Sequence, residues 1–107
     1  MVDAGGGEIA LHNRIHNRFV RMNNKADMDT SSTKAIKDLP SATQWPWERF
    51  QVVNAKGGEI ALHSKTHNRF VRMNNKAAMD VSSTKAVKDL PPAKSWPWER
   101  FKLVVDR

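Results

Sequence analysis

A chain of 107 residues with 18 Lys and Arg against 11 Asp and Glu, a net charge of +7, is long enough to bury a core and favours anionic partners. It contains no cysteine, which excludes disulfides, thiolate metal sites and cysteine nucleophiles and fits a reducing, cytoplasmic setting. No apolar run approaches the ~20 residues that span a bilayer, and Met1-Val2-Asp3-Ala4-Gly5 lacks a signal peptide's basic and apolar regions, so the expectation is a soluble chain without a membrane span.

Residues 2–51 align with residues 53–102 without a gap, and 38 of the 50 pairs are identical. The chain therefore reads as one domain, 1–107, made of the internal repeats 2–51 and 53–102. The longest shared segment with both apolar and cationic groups is His16-Asn17-Arg18-Phe19-Val20-Arg21-Met22-Asn23-Asn24-Lys25, which returns as His67 to Lys76. Most differences are mild, and Asp27 against Ala78, Ile15 against Thr66 and Thr43 against Lys94 are expected on the surface.

In chain order, Glu8-Ile9-Ala10-Leu11-His12 alternates in polarity after three glycines and predicts a half-buried strand. Asn13 to Asn17 is a polar turn. Arg18 to Met22 predicts a second strand with Val20 and Met22 on the core face and Phe19 and Arg21 on the other. Asn23-Asn24-Lys25 is a turn signal, because asparagine tolerates positive φ and bonds its own backbone. A short third strand is expected around Met28 to Thr30. Ser31 to Gln44 reads as a loop with a helical turn in Lys34 to Leu39 after a Ser32 cap. Trp47 to Val53 has the aromatic and β-branched composition of a fourth strand.

The second repeat follows the same plan with Glu59 to Ser64, Arg69 to Asn74, Met79 to Ser82 and Trp98 to Val105. The fold class expected is thus all-β, with about eight short strands in two four-stranded repeats.

Leu62-His63-Ser64, Arg69-Phe70-Val71-Arg72-Met73-Asn74 and Trp98-Glu99-Arg100-Phe101-Lys102-Leu103-Val104, with their copies, resemble one repeat of the fascin-like, actin-crosslinking β-trefoil superfamily. The resemblance covers nearly the whole chain and rests on hydrophobic spacing and turn chemistry. It implies β-trefoil-type repeats and actin as a partner. A trefoil has three such units and this chain has two, so either the units close differently, as an eight-stranded barrel or sandwich, or an open side is covered by self-association or by a partner.

Several residues then stand as candidates for partner binding. Arg21 and Arg72 lie in mid-strand opposite the expected core face, where an arginine fork can hold a carboxylate or phosphate. The alternative is intramolecular pairing with Glu8, Glu48 or Asp29 and their copies. Arg18, Lys25, Arg69 and Lys76 belong to the same basic set. His16 and His67 occur in His-x3-His with no third ligand, which argues against a metal. Trp45 and Trp96 open the Trp-Pro-Trp segments and read either as core and loop anchors or as a stacking platform.

Neither a glycine elbow beside a serine nor a glycine-rich phosphate loop is present, and the carboxylates form no evident acid and base pair. The expectation is a non-enzymatic binding or scaffolding module without a cofactor, acting on an acidic protein such as actin. The alternatives are an accessory subunit of a larger complex and a glycan- or nucleic-acid-binding module.

Overall fold

A computed structural model of the chain describes residues 2–41, 44–92 and 95–102. The strands are β1 (Val2–Gly5), β2 (Glu8–Ala10), β3 (His12–Asn13), β4 (Arg18–Met22), β5 (Met28–Thr30), β6 (Phe50–Lys56), β7 (Glu59–Ser64), β8 (Arg69–Met73) and β9 (Met79–Val81). The helical segments among the described residues are four 3-10 turns of three residues each, so the fold is all-β. The expected surface position Thr43 against Lys94 lies outside the described residues, as does the end of the last strand, Leu103 to Val105.

All strand pairs are antiparallel, in a six-stranded sheet ordered β1-β2-β6-β7-β8-β9 and a three-stranded sheet ordered β3-β4-β5. β6 joins the repeats. Its start pairs with β2 of unit 1 (residues 2–51) through Ile9 and Phe50, and its remainder pairs with β7 of unit 2 (residues 53–102) from Gln51 and His63 to Lys56 and Glu59. Phe101 repeats the first pairing by bridging Ile60.

The local chemistry explains most of this pattern. The Asn23 side chain accepts the backbone N–H of Lys25 at 2.9 Å and of Asp27 at 3.1 Å, which closes the β4–β5 turn, and Asn74 does the same in unit 2. Positive φ falls on Ala26 and Ala77 in these turns rather than on the asparagines, and on Asn17 and Asn68 in the turns before β4 and β8. Ile15 is 81% exposed and Thr66, Asp27 and Ala78 are exposed, as the differences between repeats suggested.

Four expectations are corrected. The fourth strand does not begin at Trp47: Pro46–Glu48 and Pro97–Glu99 are 3-10 turns, because Pro46 and Pro97 supply a helical φ at the first position, and the strand starts at Phe50. The helical turns are Ile36–Asp38 and Val87–Asp89, capped by Ala35 and Ala86 without a side-chain bond, so Ser32 caps nothing there. Phe19 and Phe70 are fully buried although they alternate with Val20 and Val71, since these strands have apolar layers on both faces. Met73 is 44% exposed where Met22 is 0% exposed, because unit 2 covers Met22 and no unit covers Met73.

The core has one part between the repeats and one within unit 2. Met22, Phe50, Leu62 and Val71 form one cluster, and Ala55, Ala61 and Phe70 form a second.

Candidate functional site

Each repeat builds the same polar cluster on the side of its second strand. Arg21 stands opposite Asp29 in the β4–β5 register, close enough for a fork-to-fork pair. Its Nε donates to Oδ1 at 2.6 Å and its Nη2 to Oδ2 at 3.0 Å, while Asn23 Nδ2 donates to Oδ2 at 3.0 Å. Arg72, Asp80 and Asn74 repeat the contacts at 2.6, 3.1 and 3.0 Å. Of the alternatives left open above, pairing with Asp29 is the one formed.

The ionisation of the pair follows from these bonds. The hydrogen bond to Asp29 pushes Arg21 above the ordinary arginine value, against the effect of burial, and Asp80 does the same to Arg72. Partial burial favours the neutral Asp29 carboxyl, but the bonds from Arg21 and Asn23 outweigh it and leave the group below the ordinary carboxylate range. The bond from Arg72 likewise depresses Asp80.

The guanidiniums are also placed against aromatic rings. Arg21 lies 5.6 Å from the Trp47 ring centre and Arg72 lies 5.4 Å from that of Trp98. Lys34 and Lys85 sit over Trp45 and Trp96 at 5.5 and 5.4 Å.

The Trp-Pro-Trp turns are held in place by the arginine that follows them. Arg49 donates through Nη1 to the Trp45 carbonyl at 2.7 Å and through Nη2 to the Pro40 carbonyl at 2.6 Å. Arg100 does so to Trp96 and Pro91 at 2.6 and 2.7 Å. These bonds tie the turn to the loop before it and turn Glu48 and Glu99 inward, where both are 3% exposed. Burial pushes both carboxyls up, and a hydrogen bond from each residue's own backbone N–H, with the nearby cations Arg21 and Arg49 or Arg72 and Arg100, only partly offsets it. Oε1 of Glu48 has no hydrogen-bond partner.

Around each glutamate is a hollow. In unit 1 it measures about 530 Å³ and is lined by Arg21, Ser32, Gln44, the Trp45-Pro46-Trp47 turn and Glu48. In unit 2 it measures about 610 Å³, with Arg72, Ser82, Ser83, Ser95, the Trp96-Pro97-Trp98 turn and Glu99. Each hollow therefore combines indole faces, a buried acceptor, hydroxyl groups and an arginine already held by an aspartate.

The other candidates are scattered. Arg18 and Arg69 donate to the carbonyls of Ser31 and Ser82 at 2.8 and 3.0 Å, which ties β4 and β8 to the following loops. Lys25 and Lys76 are exposed at the β4–β5 and β8–β9 turns. His16 is exposed, whereas His67 reaches back to unit 1 and donates Nε2–H to the Met22 carbonyl at 2.9 Å. Only Arg21, Trp45 and their copies share the hollows.

Glu48 and Glu99 carry the distinctive chemistry of the hollows, and sequence reading placed them in a strand instead. The signal available was the unbroken Trp-Pro-Trp-Glu-Arg in both repeats, where proline rules out a regular strand start. No group of three or more possible metal ligands occurs among the described residues, and no described helix is long and apolar enough to cross a membrane. No protein-family model matches this chain, and no curated protein is significantly similar to it.

Proposed function

We propose that the chain is a non-enzymatic binding module that presents one ligand pocket twice, and that the ligand is the sugar ring of a glycan. One observation carries this reading: a carboxylate that is 97% buried, with an unpartnered oxygen, lines a hollow walled by tryptophan. A lone buried acceptor is costly unless a donor meets it. Sugar hydroxyls are such donors, and the apolar face of a pyranose packs on an indole. An anionic ligand would instead meet Glu48 and an Arg21 fork already filled by Asp29.

The two units are further proposed to be β-trefoil-type repeats of the fascin-like kind. The repeated four-segment plan, with a bridged fourth strand in each unit, supports this.

Calorimetry and tryptophan fluorescence against a panel of mono- and oligosaccharides test the glycan reading. Saturable binding at two sites per chain, lost in the Glu48→Gln, Glu99→Gln double variant, is expected. Absence of any response across the panel would overturn it.

The net charge of +7, with Lys25 and Lys76 exposed at equivalent turns, supports a second reading as a bridge between acidic protein partners such as actin filaments. Under that reading the chain pellets with filaments at low salt, and Lys25→Glu with Lys76→Glu abolishes pelleting. Pelleting unaffected by salt or by these changes rules it out.

A further inference from the structure

Unit 2 is seated on unit 1 by contacts that have unused copies elsewhere in the chain. His67, in the turn before β8, donates to the Met22 carbonyl at 2.9 Å, and its ring centre lies 6.2 Å from that of Trp47. Met22 beneath it packs against Leu62 and Val71 of unit 2 and is fully buried. The equivalent donor in unit 1, His16, is exposed, and its ring has no partner among the described residues. The equivalent receiving residues in unit 2, Met73 and Trp98, are 44% and 42% exposed. One edge of the chain thus carries a free docking group, and the other edge carries a free surface of the kind that group docks on.

Beside the receiving surface lies an apolar cleft of about 570 Å³, lined by Met79, the register partner of Met73 in the β8–β9 pair. Unit 1 lines it with the half-buried Leu11 and Val20, and unit 2 with their copies Leu62 and Val71, which are more deeply buried. Unit 2 lines it with Met79 and Phe101, and the copy of the latter, Phe50, is fully buried.

We infer that this cleft takes one repeat unit of a second copy of the chain, seated on unit 2 as unit 2 is seated on unit 1. The histidine of the incoming unit, His16 or its copy His67, donates to the Met73 carbonyl and packs on Trp98, continuing the interface already formed inside the chain. The fit needs no other sequence, because donor and receiver are identical in the two repeats. Each chain brings two units and each cleft takes one. The smallest set with no open cleft is three chains, one of which parts its units at β6 and lends one to each of the others.

Sedimentation equilibrium of the 107-residue chain decides the matter. The expected result is the mass of three chains at high concentration, falling in Met73→Lys and in His16→Asp, both with unchanged far-UV circular dichroism. These residues are exposed in the single chain, so folding tolerates both changes. A wild-type mass of one chain at every concentration overturns the inference whether or not the variants fold. Wild-type association that survives both substitutions overturns it equally, since the contact would then lie elsewhere or with another occupant.

Discussion

Unit 1 and unit 2 share 38 of 50 aligned residues, and the two form many of the same contacts within a unit. Arg21 and Arg72 hold their aspartates at the same 2.6 Å, and Ser31 and Ser82 accept the N–H of Phe19 and Phe70 at the same 2.9 Å. They part company in what covers them. Met22 and Phe50 are buried and Met73 and Phe101 are not, while Leu62 and His63 are buried and Leu11 and His12 are only half-buried. Burial runs in one direction along the repeat: the end of unit 1 is covered by the beginning of unit 2. Sequence identity thus sets hydrogen bonding within a unit, whereas position in the array sets its hydrophobic stabilisation.

The sharpest way to break this comparison is to truncate the same side chain in both units. Met22→Ala should cost about 2–5 kcal/mol as a buried cavity, while Met73→Ala should cost less than about 1 kcal/mol. Urea unfolding at low protein concentration measures both, and equal losses would mean that unit 2 does not cover Met22 as described. Next in size is the inter-unit hydrogen bond. His67→Ala should lose about 1 kcal/mol and His16→Ala less than about 0.5 kcal/mol in the same experiment.

A smaller effect tests the sameness of the units rather than their difference. Asp29→Asn and Asp80→Asn should each cost under about 1 kcal/mol at neutral pH, because the pairs are about one-third exposed and screened by solvent. Both carboxyls are depressed in the folded state. Their contribution is therefore present above the ordinary carboxylate pKa and is lost as pH falls through the lowered folded values. The wild-type advantage over either variant should vanish in strong acid, and an advantage that persists there would show that the ion pair is not its source.

The glutamates should show the opposite sign. Burial raises Glu48 and Glu99, so their contribution to stability is fully present below the ordinary carboxylate pKa and is lost as pH rises through the raised folded values. Glu48→Gln should gain thermal stability relative to wild type between acid and neutral pH, a shift readable by calorimetry. A variant that instead loses ground as pH rises would show that the charged form is already satisfied, and the glycan reading would lose its main support.

Much of the repeat architecture was legible in the residues. The 51-residue offset, the alternation of Glu8 to Ala10 and the Asn23 turn all act over a few neighbours, and the folded chain retains them. The pairing of Arg21 was legible as a choice among carboxylates, which the β4–β5 register resolves in favour of Asp29. The pocket was less legible. Trp45 was a candidate, but Glu48 reads as a strand residue and one possible partner of Arg21 until the 3-10 turn, tied by Arg49 to Pro40, places it among the buried residues. Phe19 misled for a related reason, because alternation assumes one wet face and β4 has none at that position.

By itself the sequence determined what depends on near neighbours: a duplicated all-β unit, its turns, its basic balance and the residue types at each hollow. Turn chemistry and strand periodicity are local, so identical segments give similar turns and strands, although the strand that is continuous over Glu59–Ser64 is interrupted at Leu11 in unit 1. Only the tertiary structure decided which copy of each residue is buried, since burial depends on what lies against a surface and not on the residue that forms it. That is why His67 and His16, or Met22 and Met73, are the same in sequence and different in the folded protein.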